Sequence, residues 1–297
     1  MEMWIYAICG IILIIGIIIC KEVWKEIHEF RVTEYEITSR KLDREEEPLK
    51  LVFLSDLHNH VYGEGNKDLL DAIRHAKPDY ILIGGDMLVG RKQRYSYEKA
   101  VEFVMKLPKI APTYYSNGNH EQRMHEMPEY YGESYYEYKN ILEASGVIWL
   151  ENDSVCLKWG KKNIKVSGVE IPMDCYRRPR MQWLQTTDLE ERIGKSEKEN
   201  YQILLAHHPE YAEVYKEWGA DLTLSGHLHG GVARLPICGG VGVISPQAGL
   251  FPKYSGDCYD LKDGAKIIVS KGLGTHTFHI RFWNPAELIL IKINGER

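Results

Sequence analysis

Five apolar runs in this chain end alike, in residues that carry a carboxylate, an amide or an imidazole. LVFLS (51–55) runs into Asp56-Leu57-His58, and YILI (80–83) into Gly84-Gly85-Asp86. TYYS (113–116) runs into Asn117-Gly118-Asn119-His120-Glu121. YQILLA (201–206) meets His207-His208-Pro209, and LTLS (222–225) meets Gly226-His227-Leu228-His229. A short apolar run bounded by glycine or polar residues reads as a buried strand. Capping or turn formation accounts for one Asp or His in such a place. It does not account for two Asp, one Asn and several His at successive strand ends. In open α/β sheets the carboxyl ends of strands form the ligand crevice, and loops on a rigid scaffold carry function. Glycines beside these residues fit, because glycine lets backbone turn sharply or approach a ligand closely.

Between these runs the pattern changes period. RVTEYEI (31–37) alternates as a first strand, and DREEEP (43–48) is a charged turn. Residues 66–76 place Leu69, Leu70, Ile73 and Ala76 on one helical face, with Pro78 ending the helix. Further helices are expected over about 96–107 and 134–145. The second half is richer in strands: VIWL, SVCLK, NIKVSGVEI, AKIIVS and ELILIKI. Strand–helix alternation followed by strand-rich sequence implies a layered α/β or α+β domain.

The amino-terminal run from Met3 to Cys20 has 18 residues and no charge. At about 1.5 Å per residue it spans roughly 27 Å, close to the ~30 Å hydrocarbon core. Glu2 stands where a signal peptide has Lys or Arg, and no A-x-A-like cleavage site follows. An uncleaved membrane anchor is expected, with Trp4, Tyr6 and Trp24 at the interfaces. Lys21, Lys25 and Arg31 follow the run and no basic residue precedes it, which favours a body on the cytoplasmic side, with an extracytoplasmic body as the alternative. The expected organisation is an anchor over 1–20, a juxtamembrane segment with a first strand over 21–50, and a catalytic domain over 51–293.

The net charge of −5 gives no global basic field, so nucleic acid is not expected as a partner. The six cysteines form no C-x-x-C pair, which argues against a disulfide framework and a cysteine zinc site. Carboxylate, amide and imidazole donors without thiolate suit Mn, Fe, Zn or Mg. Two carboxylates against two dications leave roughly +2, or about +1 with a bound hydroxide, a charge that attracts phosphate.

The order D-x-H, GD, GNHE, H-x-P, GHLHGG resembles the calcineurin-like metallophosphoesterase superfamily. Over residues 50 to 293 the chain is similar to the membrane-associated bacterial branch related to the lipid A pathway (UDP-diacylglucosamine-type) phosphoesterases. The stretches SPQAGLFPKY, VSKGLGTH and IRFWNPAELILI extend that likeness into the tail. The resemblance implies a four-layer α-β-β-α sandwich and two divalent metal ions. It also implies in-line attack of a metal-bridging hydroxide on a phosphate mono- or diester or a pyrophosphate, lipid-linked esters included. Asp56, His58 and His229 match the ligands of one metal, and Asp86 matches the carboxylate shared by both. Asn119, His207 and His227 match the ligands of the second. His207 is preferred to His208 because the branch's ligand lies two residues before the proline. His120 matches the histidine that assists the leaving group. The branch usually has Gln where Val232 stands and often a second Asp where Val89 stands, which leaves substrate detail open.

Two other readings share this fold: a non-catalytic scaffold, marked by loss of ligands or of His120, and a nuclease or cyclic-nucleotide phosphodiesterase, marked by a basic groove. His60, His75 and His125 are expected in ordinary local roles. The tyrosines at 130, 131, 135, 136 and 138 read as packing, with a lid or a lipid-facing surface as the sharper alternative. Arg281 is left between a phosphate contact and a structural ion pair.

Overall fold

The computed structural model describes residues 2–91, 94–177, 182–235, 240–245, 249–275 and 279–296. Pro246, Gln247, Ala248 and His276, which belong to the two tail stretches SPQAGLFPKY and VSKGLGTH, lie outside the described residues. One long helix, α1 (Glu2–His28), stands at the amino terminus with its apolar run exposed.

Two six-stranded sheets follow. The first contains β1 (Phe30–Ser39), β2 (Leu49–Leu54), β3 (Tyr80–Ile83), β4 (Thr113–Tyr115) and β5 (Val147–Trp149). The second contains β6 (Asp153–Trp159), β7 (Lys162–Val169), β8 (Tyr201–Ala206), β9 (Leu222–Ser225), β10 (Asp257–Asp260) and β11 (Lys266–Val269). The chain then returns to the first sheet with β12 (Ala286–Gly295), giving the orders β1-β12-β2-β3-β4-β5 and β10-β11-β9-β8-β7-β6. β2, β3, β4 and β5 run parallel, as do β7, β8, β9 and β11. Parallel neighbours end on the same side, so the five ligand-bearing strand ends gather at one edge of the molecule.

Side chains alternate across a strand, and these strands are apolar on both faces because both faces are covered. Leu51 and Phe53 of β2 face Ile203 and Leu205 of β8 in the core between the sheets. Val52 and Leu54 face the other way, onto α2 (Lys67–Ala76), α3 (Glu98–Val104), α4 (Asn119–Glu126), α5 (Pro128–Tyr131) and α6 (Ser134–Ala144). Leu204 and Ala206 of β8 face α7 (Thr186–Ile193) and α8 (Ala212–Trp218). The result is helices, sheet, sheet, helices: the four-layer α-β-β-α sandwich.

The sequence-based elements differ from the structure mainly at their ends. The helix expected over 96–107 is the shorter α3 followed by a separate 3-10 turn at Leu107–Lys109. α4, α7 and α8, none of them anticipated as helices, are two-turn pieces of seven or eight residues. That length carries too few apolar repeats for a helical period to stand out.

Candidate metal centre

Five of the seven candidate ligands leave their strands through an unusual backbone conformation. Asp56, His58, Asp86, His227 and His229 have φ of 56°, 48°, 55°, 69° and 49°. Left-handed backbone at a non-glycine residue costs about 1–3 kcal/mol and persists where surrounding contacts enforce it. Here they are backbone hydrogen bonds between loops: Asp56 N–H to Gly85 O, His58 N–H to Asp86 O, and Gly226 N–H to His207 O. The two sheets are stitched together at this edge. The His227 N–H donates to the Asp56 carboxylate at 3.0 Å, and the Gly274 N–H to Asp56 O. Glycine is required at two contacts. A Cβ on Gly226 would stand 2.1 Å from an Asp56 carboxylate oxygen, and one on Gly118 would stand 2.3 Å from Asp86 Oδ1.

The loops bring the candidate side chains into one buried crevice. Asp56, His58 and His229 form one group, Asp86, His207 and His227 a second, and His58, Asp86 and His120 a third, with donor atoms within 4.8 Å of one another in each. Asp86 Oδ2 lies 3.1 Å from His207 Nε2 and 3.9 Å from both His58 Nε2 and His120 Nε2. Asp56 Oδ1 lies 3.3 Å from His229 Nε2 and 3.7 Å from His207 Nε2. Asn119 heads α4, whose next residue, His120, donates its N–H to Asp86 Oδ1 at 2.8 Å.

The tautomers separate these imidazoles into two kinds. The Nδ1 atoms of His58, His207 and His229 face the carbonyls of Leu88, Gly84 and Gly274 at 3.2, 2.7 and 3.3 Å. A carbonyl only accepts, so each ring carries a proton on Nδ1 and presents its Nε2 to the crevice. His120 is the reverse: its Nδ1 accepts the Gly90 N–H at 2.8 Å, so its proton sits on Nε2, facing the crevice.

This donor set fits divalent cations. The Nε2 atoms of His58 and His229 lie 3.0 Å apart, and both stand within 4.0 Å of Asp56 Oδ1. His207 Nε2 is close to Asp86 Oδ2 yet out of hydrogen-bond alignment, and buried Asn119 Oδ1 has no hydrogen-bond partner among the described residues. The protonation balance says the same. Burial pushes Asp56 up to about 6, with His207 pulling it down and Asp86 adding to the rise. Burial would also raise Asp86, but His207 and His120 hold it well below the usual carboxylate range. Burial lowers the His207 imidazole, yet the Asp86 and Asp56 carboxylates outweigh it and raise that ring to about 10. The crevice draws in positive charge.

A cavity of about 530 Å³ opens beside this centre, walled by His58, His60, Arg91, Lys99 and His279, with His28 from the end of α1 on its rim. His208 lies outside the ligand groups, its ring packed against Tyr176, Tyr211 and His227. His75 contacts Asp71 O, His125 stacks on Tyr135, and His60 packs edge-on against Tyr62. Arg281 is buried and donates to the carbonyls of Lys271, Gly272, Gly274 and Asn284, so it orders the loop behind His229.

Glu121 is the residue that sequence reasoning passed over. Its buried carboxylate accepts the N–H groups of Asp86, Met87 and Gly118 at 2.9, 3.0 and 3.0 Å and the Tyr115 hydroxyl at 2.8 Å. It ties the Asp86 loop to the start of α4. The available signal was a carboxylate directly after Asn119-His120 in an otherwise assigned motif. The tyrosine segment serves the same support. Tyr131, Tyr135 and Tyr138 are buried, Tyr138 reaches Tyr115, and Tyr135 accepts from Asn117 while donating to Glu151.

The family model for calcineurin-like phosphoesterases matches residues 49–231. The uncharacterized metallophosphoesterase YkuE of Bacillus subtilis is 26% identical over 274 residues, 91% of this chain and 87% of its own length. The phosphodiesterase YaeI of Escherichia coli is 26% identical over 228 residues, 74% of this chain and 72% of its own. A Danio rerio transmembrane protein with a metallophosphoesterase domain is 26% identical over 279 residues, 89% of this chain and 57% of its own. These likenesses reach the family and stop short of the lipid A pathway branch.

Proposed function

The chain belongs to the calcineurin-like phosphoesterase family, and from that premise we propose a membrane-anchored, two-metal phosphohydrolase acting on an anionic phosphate ester, lipid-linked esters included. Metal-dependent phosphoester hydrolysis is the family's chemistry, and the Asp/His donor groups suit it. The finer reading assigns Asp56, His58 and His229 to one cation, Asn119, His207 and His227 to another, and Asp86 to both. Bound there, the cations would supply Lewis-acid stabilisation of developing phosphoryl charge and a water made nucleophilic near neutral pH.

The remaining work falls to the chain. The backbone carbonyls of Leu88, Gly84 and Gly274 orient three imidazoles so that their Nε2 atoms converge. His120 holds a proton on Nε2, aimed at the same crevice, and hands it to the departing oxygen of an ester lodged among the donors. Arg91 and Lys99 on the cavity wall favour an anionic substrate over a neutral one. Retention of every donor and of the proton-bearing His120 favours an enzyme over a scaffold. α1 is long and apolar enough to span a bilayer, and the basic residues after it favour a cytoplasmic catalytic domain.

The observation that carries this reading is the convergence of Asp56, His58 and His229, and of Asp86, His207 and His227, in one buried crevice. Full-length protein, purified in detergent and loaded with Mn, Fe or Zn, should hold two ions per chain and hydrolyse a soluble aryl phosphodiester. Elemental analysis finding one ion or none in protein that remains folded sinks the two-metal assignment. Protease added to intact cells should spare the domain; its digestion there would reverse the orientation.

A further inference from the structure

Phe251 and Trp283 sit in left-handed backbone, with φ of 48° and 52°, while their side chains are 57% and 48% exposed. For bulky residues that conformation costs about 1–3 kcal/mol each, and about half of each residue faces outward all the same. They belong to one surface. The chain at 232–234 joins them: Val232 N–H donates to Ile244 O and Arg234 N–H to Phe282 O, while Phe282 N–H returns to Val232 O. Ile244 bridges Leu250, and Phe251 N–H donates to Val243 O. Ile244, Leu250, Phe251, Ile280 and Trp283, all exposed, therefore form an apolar ridge.

That ridge abuts the end of α1. Asn284, directly after Trp283, donates its N–H to the buried Glu26 carboxylate at 2.8 Å. Glu26 lies six residues past Cys20, the end of the uncharged run, about 9 Å along a helix. The headgroup layer on each side of the hydrocarbon core is roughly 5–8 Å thick. The contact that fixes the ridge to α1 thus lies about 1–4 Å beyond that layer, close enough for side chains of the ridge to reach it. Trp24 is exposed on the same helix end, as interfacial aromatic residues are.

We propose that this ridge is a second membrane contact, inserting into the bilayer interface beside α1. Its occupant is lipid rather than a protein partner. The inference rests on α1 spanning the bilayer and is independent of the phosphoesterase chemistry. Two contacts, instead of one flexible tether, hold the cavity rimmed by His28 at a fixed height over the lipid headgroups.

Full-length protein in nanodiscs of phosphatidylcholine and phosphatidylglycerol, with and without acyl-chain bromination, tests it, because bromine quenches tryptophan that touches lipid. Phe251→Trp should add emission that loses most of its intensity in brominated discs, and Trp283→Phe should remove a quenched component. Ile148→Trp, exposed on β5 at the far edge of the first sheet, should add emission that bromination leaves alone. Unchanged hydrolysis of a soluble diester shows that each variant is folded. Emission from Phe251→Trp that bromination does not touch overturns the ridge, including the case where a protein partner occupies it. Trp4→Phe separates the two readings: loss of a quenched component there keeps the anchor standing when the ridge fails, and no loss removes the anchor as well.

Discussion

Leu205 and His207 are two residues apart on the same strand and its exit, and both are buried, at 0% and 3% exposure. Their surroundings are opposite in kind. Leu205 packs among Ile203, Leu224, Phe53 and other aliphatic or aromatic side chains between the sheets. His207 points among carboxylates and other imidazoles, and Asp56, Asp86 and His227 beside it sit in left-handed backbone. Burying a leucine stabilises by about 1.5–3 kcal/mol, whereas a buried carboxylate costs free energy until it is paired. The interior between the sheets holds the fold together, and the crevice at their ends consumes part of that stability to hold charge in place.

Separating those two regions by mutation is the way to break this comparison. The largest effect belongs to Asp86→Ala, which removes the carboxylate shared by both ligand sets. Activity should fall by at least ~10⁴-fold, or about 5.5 kcal/mol, and bound metal should drop. Thermal stability of the metal-free protein should fall by no more than about 3–5 kcal/mol, since the His120 N–H and the His207 imidazole lose their carboxylate partner while the packing between the sheets is untouched. Unfolding of this variant alongside its inactivity would make the crevice structural and defeat the contrast.

His120→Ala comes next. Its proton faces the crevice while its Nδ1 is held by Gly90, so kcat should fall by about 10²–10⁴-fold with both ions retained. Substrates with good leaving groups should lose less. Equal losses across a leaving-group series would take His120 out of the acid role.

Leu205→Ala should behave the other way round. Denaturant unfolding should show a loss of about 2–5 kcal/mol, with kcat per folded molecule unchanged. A matching loss of kcat would show that packing between the sheets sets the geometry of the crevice directly.

The smallest change tests the boundary between the regions. Glu121→Gln keeps shape but leaves one acceptor oxygen for three N–H groups and a hydroxyl. A loss of about 1–3 kcal/mol in stability is expected, together with weaker metal retention as the Asp86 loop loosens. Normal metal content at reduced stability would restrict Glu121 to the fold.

The apolar runs, their order and the polar residues that close them are local in the chain, and a strand buried on both faces is apolar throughout. β2, β3, β8 and β9 could therefore be found from sequence within two residues of their ends. The helices α7 and α8 could not, because two turns present too short a period, and packing against the second sheet decides that they form. Among the tyrosines, nothing local separates buried Tyr135 and Tyr138 from exposed Tyr130 and Tyr136. Only the way α6 lies against Trp149 and Tyr115 does so.

By itself, the sequence determined the donor chemistry: two carboxylates, an amide and imidazoles without thiolate, each just past a strand, behind a membrane-length apolar helix. The tertiary structure decided what each donor presents. His207, His58 and His229 take their tautomers from carbonyls 123, 30 and 45 residues away, and His120 takes the opposite one from an N–H 30 residues away. Every residue carries a backbone carbonyl, so no residue type marks which one will meet an imidazole. That meeting exists only once two sheets have closed on each other.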